Sequence, residues 1–214
     1  MHKENPILEI ISHKEAIERF DLNKYHPFVE LDASVVLVMN GDTHIKEDLD
    51  SWYMRVLEGN SEYDGTLMII VNGTLIVDGI ATGKEDCNAH LLVLGDLHCE
   101  ILRSYDEFTH ITGNAFVKYI YDGNYNSGSI TIKGVTDVPF LLNSNHSSEI
   151  KPSEKTVSIC YSGDDGFFEY DLTEEGFEEA LIAEIYNDGN FNIDAFYAVV
   201  KSGASPFVEG YQYS

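Results

Sequence analysis

The sequence predicts a mainly β fold with helical attachments, a right-handed parallel β-solenoid (β-helix) of about 20-residue coils. Three observations predict it. A β-branched or apolar residue, any residue and then glycine recurs as Val71-Asn72-Gly73, Val93-Leu94-Gly95, Ile111-Thr112-Gly113 and Ile132-Lys133-Gly134. The glycines stand 22, 18 and 21 residues apart. After each comes a short alternating run, as in Thr74-Leu75-Ile76-Val77 and Asn114-Ala115-Phe116-Val117, the pattern of a strand with one buried side. Equivalent strands of successive coils would stack, and the glycine would permit a positive φ or a crowded corner where each coil bends. An antiparallel β-sandwich is the alternative, because its turns also recur at short intervals. The recurrence of the residues around each glycine favours the solenoid.

Three regions differ in texture: 1–60, a mixed α/β N-terminal cap; 61–150, the repeats; and 151–214, an acidic helical region. Ser12 with Glu15 has capping-box spacing and opens a helix whose apolar side is Ala16, Ile17 and Phe20. Val35 to Met39 reads as a strand, and Asn40-Gly41-Asp42 as the turn after it. Met39-Asn40-Gly41 is a candidate outlying copy of the repeat. Asp48 is placed to cap a second helix, with Leu49, Trp52, Tyr53, Val56 and Leu57 on one face and Gly59-Asn60 as its stop. After the repeats, Thr156 to Tyr161 alternates like a strand and Asp164-Asp165-Gly166 marks a turn. Asp171 and Glu174 have capping-box spacing, with Thr173 a rival cap, for a helix running to about Tyr186, with Phe177, Ala180, Leu181 and Ile185 inward. Ile193 to Val200 reads as a last helix, with a final strand as the alternative. These C-terminal helices are expected to cap an end of the solenoid.

The composition bounds the function. With 43% hydrophobic and 12% aromatic residues, the 214-residue chain can bury a core. Against 37 acidic residues there are only 13 basic ones, a formal charge of −24. Such a surface repels nucleic acid and anionic membranes, whose protein affinity comes from Lys and Arg. The excess serves either solubility or a basic protein partner. It is densest at the end of the chain, where residues 156–214 hold twelve acids and Lys201 alone. We therefore take Asp164, Asp165, Glu169, Asp171, Glu174, Glu175, Glu178 and Glu179 as the candidate partner-binding residues. Phe167, Phe168, Tyr170 and Tyr186 are either anchors beside them or core.

Catalytic chemistry finds no foothold. Gly79-Ile80-Ala81-Thr82-Gly83-Lys84-Glu85 has three residues between its glycines where a phosphate loop has four, and Glu follows the Lys. His90, His98, His110 and His146 lack metal-ligand spacing, and surface or hydrogen-bonded roles are expected for them. Cys87, Cys99 and Cys160 are odd in number and widely spaced, which argues for a reducing compartment. No cofactor, no metal and no enzymatic activity are expected. The N-terminus carries no secretory signal pattern, so a cytoplasmic location is the expectation.

The segments Val71-Asn72-Gly73-Thr74-Leu75, Val93-Leu94-Gly95-Asp96-Leu97 and Ile111-Thr112-Gly113-Asn114-Ala115 resemble the repeats of bactofilins, bacterial polymer-forming β-solenoids. The stretch Gly123 to Gly134 is similar to a block of acidic bacterial solenoid proteins found near polymorphic toxins. The likeness spans about residues 65–140. Bactofilin coils are shorter and more regular, without a helical C-terminal region. In composition the chain looks like immunity proteins, which are small and acidic. The resemblance implies a non-enzymatic protein-binding protein, an immunity protein for a basic nuclease-type toxin. The alternatives are a polymer-forming scaffold or a carbohydrate-active β-helix enzyme.

Overall fold

The structure, a computed structural model, describes residues 7–58, 65–81, 89–124, 127–161 and 170–211. Strand β1 (Ile7–Ile11) and helix α1 (His13–Phe20) come first. Ser12 caps α1 as its sequence predicts, its hydroxyl accepting from the Glu15 N–H at 3.2 Å. The first coil holds β2 (Val35–Asn40) and β3 (Thr43–Ile45), followed by α2 (Leu49–Leu57). The next holds β4 (Leu67–Asn72), β5 (Leu75–Val77) and β6 (Ile80–Ala81). Then come β7 (Ala89–Val93) with β8 (Leu97–Ser104), and β9 (Phe108–Ile111) with β10 (Ala115–Asn124). β11 (Ser129–Ile132), β12 (Thr136–Asp137) and β13 (Phe140–Ser144) precede β14 (Ser147–Glu149), β15 (Val157–Cys160) and β16 (Leu172–Thr173).

Two sheets result. One runs β1-β2-β4-β7-β9-β11-β14, and the other β16-β15-β13-β10-β8-β5-β3, with β6 beside β8 and β12 beside β10. Only β1 on β2 is antiparallel; the ladders between coils are parallel. The chain is a β-solenoid, and the parallel ladders exclude the antiparallel sandwich. The second sheet bends within β8 and β10, where the register shifts between Val117 and Ile120. Each coil therefore has three faces: the seven-stranded sheet, then a second face through β5 and the first half of β8, then a third through β6 and the second half of β8. Met39-Asn40-Gly41 is a true copy, since Met39 pairs with Val71 and Asn40 with Asn72.

The repeat glycines stand one above another at the corner between the first two faces. Gly113 N–H donates to the Gly95 carbonyl and Gly134 N–H to the Gly113 carbonyl, each at 2.9 Å. A Cβ on Gly95 would lie 2.5 Å from the Gly73 carbonyl oxygen. None of these four glycines has a positive φ, so crowding between coils, not backbone handedness, requires them. The residue after each glycine adds a side-chain ladder. The carboxylate of Asp96 accepts from Asn114 N–H at 2.7 Å, and Asn114 Oδ1 accepts from Val135 N–H at 2.9 Å.

Alternation then sorts the side chains. Leu37, Ile69, Leu91 and Ile111 point into the bore, together with Leu75, Leu97 and Ala115 from the second face. Leu49, Tyr53 and Leu57 of α2 close that bore at its N-terminal end. Asp48 stands at the helix start without capping it; its carboxylate accepts from Ile80 N–H at 2.8 Å in the next coil. The outward Val36, Val38, Met68, Ile70 and Leu92 of the first face are covered by Ala16, Leu22 and Phe28 of the N-terminal segment. Each such burial contributes at most about 1.5–3 kcal/mol.

The C-terminal region departs from its reading. The helix predicted from 171 to about 186 is a 3₁₀ turn at Glu174–Gly176 and one helical turn, α3 (Phe177–Ala180). Leu181 leaves the helix to pair with Phe207 in an antiparallel bridge, and the hairpin β17 (Tyr186–Asn187) with β18 (Asn190–Phe191) follows. Gly176 weakens the helix from within, and packing of Phe177, Ala180, Leu181 and Ile185 overrides the rest. Asp171 does not act as a cap, because its carboxylate accepts from Ser158 N–H at 2.7 Å. The last helix is present as α4 (Ile193–Ser202), with Asn192 capping Ala195 N–H at 3.1 Å. These elements do not close an end of the solenoid. They lie along its third face, over the outward Ile101, Ile120, Leu142 and Ile159.

Candidate binding surfaces

Of the eight acids expected to bind a partner, Asp164, Asp165 and Glu169 lie outside the described residues. The same holds for the Asp164-Asp165-Gly166 turn, the Gly59-Asn60 stop, Thr82 to Glu85, Cys87, Phe167 and Phe168. The other five are brought together. Asp171 is tied to Ser158, while Glu174, Glu175, Glu178 and Glu179 are exposed on the 3₁₀ turn and α3. Glu184 and Asp188 are exposed just beyond them.

Charge pairing is uneven over the molecule. Glu9 pairs with Arg19, Glu47 with Arg55, Glu100 with Lys118, and Glu149 with Lys133. Among the described residues, no cation pairs with Glu174, Glu175, Glu178, Glu179 or Glu184. Other exposed acids, such as Glu15, Glu18, Asp32, Asp42 and Glu154, also lack a paired cation among the described residues, but they are scattered, whereas the C-terminal region gathers its acids into one short run. Of the expected anchors, Tyr170 accepts a hydrogen bond from the Asn143 side-chain amide at 2.9 Å. Tyr186 packs edge-on against Phe177 in the core.

Beneath that region lies a carboxylate for which the sequence holds no local signal. Asp122 of β10 is fully buried on the outward side of the third face. Tyr197 of α4 donates to it at 2.5 Å, Tyr105 at 2.9 Å and Tyr161 at 3.2 Å. Burial drives its acidity down, raising its pKa, and the hydrogen bonds from Tyr197 and Tyr105 oppose that shift. Arg103, its register partner on β8, lies over the Tyr197 ring at 5.1 Å. The cluster fastens α4 to the solenoid.

The histidines are hydrogen-bonded or stacked. His90 Nδ1 accepts from Phe108 N–H at 2.9 Å, and burial lowers its pKa to about 4. His110 meets the Tyr25 ring, and burial lowers its pKa too. His146 Nε2 lies 2.9 Å from Ser104 Oγ, but both residues are fully buried, so no substrate reaches this pair. Burial also pushes the Cys99 thiol up, away from thiolate chemistry. No three His, Cys, Asp or Glu side chains converge as a metal site among the described residues. No described helix is long and apolar enough to cross a membrane.

One further surface stands out. The second face carries an open trough of about 740 Å³, flanked by Ile76, His98 and Phe116 on one side and Asp78, Glu100 and Lys118 on the other. Comparison with protein-family models, with curated proteins and with solved structures finds no match to this chain.

Proposed function

We propose that this chain is a non-enzymatic protein-binding protein, an immunity protein that neutralises a basic nuclease-type toxin by laying its acidic C-terminal flank over the toxin's cationic surface. The observation that carries the reading is the exposed run Glu174, Glu175, Glu178 and Glu179, four carboxylates within six residues that no cation pairs with among the described residues. Concentrated like charge destabilises a fold by self-repulsion and is relieved when a complementary surface docks. A cytoplasmic setting, with its reduced thiols, suits both the buried Cys99 thiol and such a role.

The test is a capture experiment with the intact chain at low ionic strength. Wild type should retain one stoichiometric basic protein from its host, released as salt rises. The double variant Glu174→Lys with Glu178→Lys should lose it. Recovery of no basic partner, or equal retention by the variant, overturns the reading.

A further inference from the structure

The terminal segments clothe two of the three solenoid faces. The first lies under the N-terminal segment and the third under the C-terminal region. Among the described residues, nothing covers the second. Its outward side chains fall on the third residue after each repeat glycine. His44, Ile76, His98, Phe116 and Asp137 are register partners on successive strands, so they form one column along the solenoid axis. The fifth residue after each glycine forms a parallel column that includes Asp78, Glu100 and Lys118. The trough runs between the two columns.

Three properties define what fits there. The middle of the first column is flat and stiff, between a polar His44 and Asp137 at its ends: Ile76 precedes His98 and Phe116, which stack at 4.7 Å and 17°, and Phe116 is 39% exposed. The second column is charged yet locally balanced. Glu100 holds Lys118 at 2.9 Å and Lys201 at 3.8 Å, while Asp78 meets His44 at 2.8 Å. On a chain of −24 this matched strip selects no ion, but its carboxylate and ammonium groups keep hydrogen-bonding capacity for hydroxyls. Finally, the floor strands spend their backbone N–H and C=O groups on neighbouring coils, as in the Leu97↔Ala115 and Val117↔Cys99 pairs. An extended peptide therefore finds no free strand edge to join. The coils repeat the same two columns at a spacing of about 4.8 Å, which suits a ligand that is itself a linear repeat.

We propose that the trough binds a neutral linear oligosaccharide lying along the solenoid axis. Its C–H faces rest against Phe116 and His98, and its hydroxyls bond to Asp78, Glu100 and Lys118. Its volume is in the range of small-ligand sites, and an apolar wall with a few oriented polar groups is their usual make-up. The site is independent of the acidic flank.

Titration of the ¹⁵N-labelled chain with β-1,4-linked glucose, β-1,4-linked N-acetylglucosamine and α-1,4-linked glucose hexasaccharides tests it. At least one should give saturable shifts confined to the second face. Phe116→Ala and Glu100→Gln should each weaken binding by about tenfold or more, with unchanged circular dichroism. Glu174→Lys should leave it intact, which separates this site from the partner surface. Absence of saturable shifts with all three sugars, undiminished binding by Phe116→Ala, or preferential occupation of the trough by an oligoarginine peptide would each overturn the proposal.

Discussion

Replacing Gly95 by alanine tests the stacked corner directly. The added Cβ would sit 2.5 Å from the Gly73 carbonyl oxygen and 2.7 Å from its carbon, where ordinary contact needs roughly 3.5 Å. Both obstacles are backbone, so no side chain can swing away. The coils must part by about 1 Å, yet Leu94 N–H to Val71 and Leu75 N–H to Asp96, at 2.8 and 2.9 Å, hold them together on either side. Overpacking of this kind costs about 1–3 kcal/mol, and weakening one or two ladder bonds adds about 1 kcal/mol each. The lower entropy of the unfolded alanine chain offsets somewhat under 1 kcal/mol. The net loss should be about 3 kcal/mol. Gly189→Ala is the control: its Cβ meets nothing within 4 Å, and only its φ of +79° is unfavourable, a penalty of about 1 kcal/mol. Urea unfolding followed by Trp52 fluorescence measures both. If Gly95→Ala loses no more stability than Gly189→Ala, the crowded-corner account is wrong.

Removing Asp122 as Asp122→Ala takes away the buried acceptor that three tyrosine hydroxyls share and should cost about 3–5 kcal/mol; limited proteolysis should then cut the C-terminal region first. Tyr197→Phe, which deletes one donor, should cost about 1–2 kcal/mol by the same urea assay. His90, held neutral when folded with a pKa of about 4, takes up its proton more readily when unfolded. Its share of stability is full above the unfolded value of about 6.5 and fades as pH falls towards the folded one, a loss of about 2 kcal/mol between pH 7 and 5. His90→Asn, which keeps an acceptor for Phe108 N–H, should flatten that slope in urea midpoints taken at the two pH values. Converting Glu174, Glu175, Glu178 and Glu179 together to Gln should leave thermal stability unchanged or raised, since these side chains form no ion pair among the described residues; a large loss would show that they hold the fold.

The solenoid was legible because its repeat is a local signal, carried by glycines whose spacing varies by only a few residues. Helices α1, α2 and α4 were legible for a similar reason: each combines a polar start with an apolar stripe. The 171–186 stretch carries those same marks and still fails to form a long helix. Its apolar residues dock on a sheet that the local sequence does not describe, and Leu181 finds a better partner in Phe207. The trough was present in the sequence in a concealed form, as the third and fifth positions after each glycine, once coils are aligned in register. Asp122 offered no such signal. Its tyrosines lie 17, 39 and 75 residues away, and only the docking of α4 unites them. The acidic run was visible as composition, but composition alone did not show that Asp171 is spent on Ser158.

The stopper formed by α2 has a consequence for self-association. A solenoid grows into a fibre only if each subunit offers two bare termini, so that copies can be threaded head to tail without limit. Here one terminus presents Ser51, Met54, Arg55 and Glu58 to solvent, while Leu49 and Tyr53 fill the opening behind them. A second copy arriving coaxially would meet that helix over the bore, with only the edges of β1 and the short β3 beside it. Head-to-tail threading of copies is therefore obstructed at that end.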